Sequence, residues 1–253
     1  VATIQNIENI NFSDGSFEPN ELVAIPTGNL GDIVMWSGGR HPDGQISVLS
    51  NNGDGAWGAE IIAAGGLYDG SSGRLELVNS DGSMELINSS GVDIYSVHDV
   101  SISDVDGNGY QDLLVFNGEA IFVLENYGPE ADWEYSLITN RLSSPDQSYF
   151  VLPNGSTQDL PFNTVGINDI STGDLNGDGL DDIVMFSGGR HPDGQISVLS
   201  NNGDGTWDAE IIAAGGSGGR LELVNSDGSQ EYINGSGVDI YAVYDVSISD
   251  VDG

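Results

Sequence analysis

Along most of the chain, short apolar runs are cut by turns rich in glycine, aspartate and asparagine. "DIVMF" and "QISVL" are compact β-branched runs, "VSIS" before Asp104 alternates, and "RLELVN" and "MELIN" flank an Asp-Gly pair at Asp81 and Gly82. Runs of this length between turn formers read as strands, and Asp-Gly between two of them reads as a hairpin. Turn signals return at intervals of about 8 to 12 residues, the spacing of an all-β fold. No stretch combines a helical period with caps. The pattern predicts small antiparallel sheets and no helices of consequence.

The pattern also repeats. "DIVMWSGGRHPDGQISVLSNNGDGAWGAEIIAAGG" from Asp32 returns from Asp182, changed only at Trp36/Phe186, Ala56/Thr206 and Gly58/Asp208. After a shortened glycine loop the match resumes as "RLELVNSDGS" at Arg74 and Arg220. A diverged copy lies between them, with "DLLVFNGEAIFVLENYG" from Asp112 and "SYFVLPNGSTQDLPF" from Ser148. Counted from the acidic turn, the organisation is a lead-in segment at 1–23, units at 24–103, 104–173 and 174–249, and the start of a fourth at 250–253. Repeated small antiparallel sheets predict a β-propeller or a related solenoid. Trp57, Trp133 and Trp207 recur at one position of the unit and read as blade core rather than as a sugar platform.

Charge changes the picture next. The 253 residues carry formal net charge -35, and the five basic residues are all arginine. Nucleic acid and anionic membrane are poor partners for such a surface. No apolar run is long enough to span a bilayer, so membrane insertion is not expected. The absence of cysteine removes disulfides and thiolate metal sites. Aspartate concentrated in glycine-rich turns suits calcium at the millimolar level found outside cells, and the expected location is extracellular or cell-surface.

The chemistry sits in two aligned turns, "DVDGNGYQD" (104–112) and "DLNGDGLDD" (174–182). Oxygen-bearing side chains fall at positions 1, 3, 5 and 9: Asp104, Asp106, Asn108 and Asp112 in one, Asp174, Asn176, Asp178 and Asp182 in the other. A hard cation takes six to eight oxygens, and a tight turn with alternate inward side chains supplies them. The position 7 carbonyls of Tyr110 and Leu180 would add one each, and the position 6 glycines, Gly109 and Gly179, permit the bend. The bland alternative is a pair of Asx turns with no metal. Four aligned oxygens repeated in two diverged units are more than a turn needs, so Ca2+ is the expected cofactor. An EF-hand is excluded, because position 12 is Val115 or Met185 and strands flank the loop.

The stretch "GDLNGDGLDDIVMF…GQISVLSNNGDGTW" resembles the FG-GAP/VCBS repeat of integrin-type β-propellers and many secreted bacterial proteins. The resemblance implies one propeller blade per unit, calcium on the positions named, and roles in adhesion or carbohydrate recognition. Two departures qualify it. The first unit reads "AIPTGNLGDIVM", retaining only Asp32, so no calcium is expected there; the last stops at "SDVDG", with Asp250 and Asp252 at positions 1 and 3. Family propellers close with about seven blades, whereas about three and a half units are present, which implies completion by a longer polypeptide or another chain. The strand around "YDVSIS" is expected to meet a neighbouring copy.

The function expected is a calcium-stabilised, non-catalytic repeat module for adhesion, matrix or filament assembly, partnered by itself or by other surface proteins. The alternative is a carbohydrate-binding propeller or a propeller-fold polysaccharide lyase with glycan partners, using Arg40, His41, Arg190 and His191 on the duplicated "GGRHPDGQ" hairpin. A Pro-Asp-Gly turn explains that hairpin without a ligand. "NNGDG" at Asn51 and Asn201 reads as a hairpin turn.

Overall fold

The computed structural model describes residues 11–12, 15–16, 22–27, 30–37, 45–52, 56–66, 74–87, 92–93, 97–118, 120–129, 131–141, 147–162, 164, 166–187, 194–215, 220–233, 238–239 and 246–248. Strands β1 (Asn11–Phe12) and β2 (Gly15–Ser16) form a two-stranded ladder. The first large sheet runs through β3 (Leu22–Thr27), β4 (Leu30–Ser37), β5 (Gln45–Asn51), β6 (Trp57–Gly66), β7 (Arg74–Val78) and β8 (Met84–Leu86), with β9 (Val92–Asp93) also on β7. The second comprises β10 (Asp99–Ser103), β11 (Asp112–Phe116), β12 (Ile121–Glu125), β13 (Glu134–Arg141), β14 (Ser148–Val151) and β15 (Thr157–Asp159). The third comprises β16 (Ile167–Gly173), β17 (Asp182–Ser187), β18 (Gln195–Asn201), β19 (Trp207–Gly215), β20 (Arg220–Val224) and β21 (Gln230–Tyr232), with β22 (Val238–Asp239) on β20.

Every pairing is antiparallel between neighbours in sequence, except that β9 and β22 each return to the strand two before them. The protein is all-β, with three meander sheets of the kind that make propeller blades. The duplicated sequence gives duplicated register: Val34 opposes Val48 as Val184 opposes Val198, and a bulge follows Ile46 as it follows Ile196. Each acidic turn joins the first and second strands of its sheet. A sheet therefore begins one strand before the repeat counted from the turn.

Two compact units form, Val1–Ser96 with Ala131–Trp133, and Val97–Glu130 with Glu134–Gly253. The second unit holds the second and third sheets face to face. All five side chains of β11 and all six of β17 are buried, because an inner strand has apolar neighbours on both faces. The seam contains Phe116, Val123, Phe150, Met185, Leu199 and Trp207. Burying side chains of this size contributes about 1.5–3 kcal/mol each.

Polar contacts fix the stacking of β10 against β16, the first strands of the two sheets. Ile170 N–H donates to Asp99 Oδ2 at 2.8 Å, and the Thr172 hydroxyl donates to the Ile102 carbonyl at 2.8 Å. The same device recurs one step on, where Val246 N–H donates to Asp169 Oδ2 at 2.8 Å. Ile248 lies so close over Gly173 that a Cβ there would stand 2.9 Å from its Cγ2. Residues 246–248, from the strand expected to meet a neighbouring copy, are thus seated on their own third sheet. The physical reason is that Asp169 accepts the Val246 amide as Asp99 accepts that of Ile170 in β16.

Candidate metal centre

The turn between β10 and β11 brings Asp104, Asp106 and Asp112 together, with one carboxylate oxygen from each lying within 4.8 Å of the others. At that spacing each pair of negative charges repels by roughly 3 kcal/mol at an effective dielectric of about 20. Backbone donors offset part of this. Asp112 is fully buried; its Oδ2 accepts from Val105 N–H and its Oδ1 from Asn126 N–H, both at 2.8 Å. Asp106 accepts from the Asn108 amide nitrogens, main chain at 3.0 Å and Nδ2 at 2.9 Å. Asp104 Oδ2 accepts from Gly109 N–H at 2.9 Å. Asp104 Oδ1 is sealed from solvent and has no hydrogen-bond partner. A buried carboxylate oxygen without a donor costs about 1–3 kcal/mol or more, and beside two further carboxylates it suits a hard divalent cation.

Gly107 and Gly109 take φ of 72° and 89°, and Gly177 and Gly179 of the matching turn take 80° and 89°. The backbone path is therefore shared, and side chains other than glycine are disfavoured at both positions. The contacts differ. Between β16 and β17, Asp182 repeats Asp112: its oxygens accept from Leu175 N–H at 3.0 Å and Asn201 N–H at 2.9 Å. Asp174, however, is turned onto three backbone amides, Gly177 at 2.6 Å and Asp178 at 3.2 Å on Oδ1, and Gly179 at 3.0 Å on Oδ2. Asn176 and Asp178 accept from the amides of Asp178 and Leu180. This is the Asx-turn arrangement that needs no metal.

Residues 167–199 match the FG-GAP repeat family, a span covering β16, the acidic turn, β17 and most of β18. That stretch carries an FG-GAP repeat. A solved structure of an Agrocybe aegerita lectin, described as recognising non-reducing terminal N-acetylglucosamine, is similar over 75% of this chain at 16% identity and TM-score 0.27. The match spans 64% of the lectin chain, and a superposition that loose fixes neither a common fold nor a ligand. Among curated proteins no relative matches.

The position 9 aspartate has a second task that spacing alone does not reveal. In the first sheet Asp32 is buried and accepts from Asn51 N–H at 2.7 Å, as Asp112 accepts from Asn126 and Asp182 from Asn201. The residue that persists where the other acidic positions are lost thus pins the start of the hairpin after the third strand. Its return in every unit was the available signal. The asparagine partners were missed, although Asn201 Nδ2 also donates to the Val105 carbonyl at 2.8 Å, bracing the second sheet's turn from the third.

Burial pushes the Asp112 carboxyl up to about 7, against the amide bonds from Asn126 and Val105 and with the charges of Asp106 and Asp104 adding to the rise. A cation in the cluster would favour the ionised form instead. Asp204 of the "NNGDG" stretch lies in the hairpin turn between β18 and β19, held below its ordinary value by the Thr206 hydroxyl and then by its amide. Arg40, His41, Arg190, His191, Asp250 and Asp252 lie outside the described residues.

Proposed function

We propose that the chain is a calcium-stabilised repeat module of an extracellular or cell-surface protein, serving adhesion, matrix or filament assembly rather than catalysis. The observation that carries this reading is the convergence of Asp104, Asp106 and Asp112 around the unpartnered Asp104 Oδ1. Asp104, Asp106, Asn108, Asp112 and the Tyr110 carbonyl would hold the ion, and Asp174, Asn176, Asp178, Asp182 and the Leu180 carbonyl a second. Asp250 and Asp252 would open a third such turn. A bound calcium supplies positive charge where three carboxylates meet. The chain's own groups hold those carboxylates at the junction of the first two strands, so the ion's affinity adds to the stability of the sheet. Partners would be further copies or other surface proteins. The carbohydrate or lyase alternative rests on the Arg-His hairpins, which lie outside the described residues, and it gains no observation.

Calorimetric titration of chelator-stripped protein with calcium tests the reading. Saturable binding, with the tighter site lost in Asp104→Asn, is the expected result. No binding heat, together with melting indifferent to chelator, overturns it.

A further inference from the structure

Two repeated pieces of sequence, one of them identical in both copies and the other nearly so, are each covered in one copy and open in the other. On the first side, Trp207 at the start of β19 is 6% exposed, sunk into the seam of the second unit with Phe150 and Leu152. Its counterpart Trp57 at the start of β6 is 48% exposed, and Ile61, the counterpart of the part-buried Ile211, is 42% exposed. The core position read from the repeat is therefore core in the third sheet and surface in the first.

On the second side stands the hairpin "RLELVNSDGS". Its two copies fold alike: Gly82 N–H donates to the Asn79 carbonyl and Gly228 N–H to the Asn225 carbonyl, both at 2.8 Å. The first copy of this hairpin is covered. Leu77 is fully buried, and Ser80 N–H donates to Asp132, the residue before Trp133, at 2.7 Å. In the third sheet the corresponding Leu223 is 41% exposed. By strand register, Leu223 also occupies the place of Phe150, which in the second sheet lies in the same cluster as Trp207.

From this complementarity we infer that a second copy of this chain docks through the Trp57 edge of its first sheet onto the Leu223 hairpin of the third sheet. The contact is heterologous, joining different faces of the two copies, so it leads to a closed ring or an open fibre. Open apolar side chains whose duplicates are buried between sheets are the signature of an interface rather than of ordinary surface. The inference deepens the assembly part of the proposed function and rests on it, and it does not depend on the metal.

Sedimentation of the full chain across micromolar concentrations, in calcium and in chelator, tests this with Trp57→Glu and Leu223→Glu. Both substitutions are at open positions, and circular dichroism checks that both variants fold. The wild type should associate with rising concentration. Each variant alone should stay monomeric, and an equimolar mixture should give a one-to-one dimer and nothing larger, because each partner keeps one intact face. Association that persists in chelator supports the docking even if the metal reading fails. A wild type that remains monomeric, variants that still associate, or a mixture that stays monomeric would each overturn the inference; so would protection of Trp57 from quenchers in the monomer, because the chain itself would then cover the site.

Discussion

The turns of the second and third sheets share glycine conformations and the placing of their last aspartate, yet they rest in different states. The second gathers three carboxylates and leaves Asp104 Oδ1 bare; the third spends Asp174 on three of its own amides. The difference traces to positions 3 and 5, where Asp106 and Asn108 stand in one and Asn176 and Asp178 in the other. Asn108 carries a side-chain donor that clamps Asp106 and also reaches the Asn126 carbonyl at 3.0 Å. Asp178 has no such donor. One motif thus yields a preformed anionic cage or a self-capped turn according to where the amide side chain stands.

The largest expected effect is the one the two turns should share. Asp112→Ala or Asp182→Ala strips the partner from two backbone amides, and at about 1–3 kcal/mol for each unsatisfied donor the loss is roughly 2–6 kcal/mol. It should be similar for both and persist in chelator, as denaturant unfolding would show. A loss confined to calcium-containing buffer would mean that these aspartates act only as ligands. Next in size is chelation of the wild type, worth about 2.7 kcal/mol per site at a hundredfold excess of calcium over Kd. Asp104→Asn should remove most of that difference and Asp174→Asn less; the reverse order would break the comparison.

A smaller effect separates the affinities. To bind an ion, Asp174 must exchange two amide bonds that Asp104 does not make, a cost of about 1–2 kcal/mol at a typical net value per hydrogen bond. Preorganisation of this kind appears as affinity. Calcium titration should therefore resolve two sites about tenfold apart, the weaker vanishing in Asp174→Asn. Two indistinguishable sites would show that the resting difference has no energetic weight.

Much of this was legible beforehand, because strand runs, Asp-Gly turns and oxygen spacing are local properties. The three sheets, their hairpins and the acidic turns lie where "DIVMF", "QISVL", "RLELVN" and the two nine-residue loops placed them. What escaped depends on neighbours far along the chain. Trp57 and Trp207 stand in nearly identical sequence, and only an opposing sheet decides which is buried. Asp169 and Asp99 look like ordinary strand residues until the next sheet's amide arrives. Asn126 follows the end of β12 and Asn201 ends β18, and nothing local says that buried aspartates accept from their amides.

The pH dependence is no larger per pH unit than that separation, and it should distinguish the turns most finely. Spacing alone places proton competition near the ordinary carboxylate range, below about pH 5. Burial raises Asp112 to about 7, so in the metal-free fold it holds a proton that the unfolded chain has released. Between about pH 4 and 7 the folded state binds the extra proton, and this group's contribution to metal-free stability falls as pH rises through that window. Calcium must displace the same proton, so affinity at the second sheet's turn should weaken with each step below neutral, approaching tenfold per pH unit. Titrations at pH 7.5, 6.5 and 5.5 read this directly, and Asp174→Asn isolates the turn concerned. Affinity flat across that range in Asp174→Asn would place Asp112 outside the ion's coordination or leave it ionised in the empty fold.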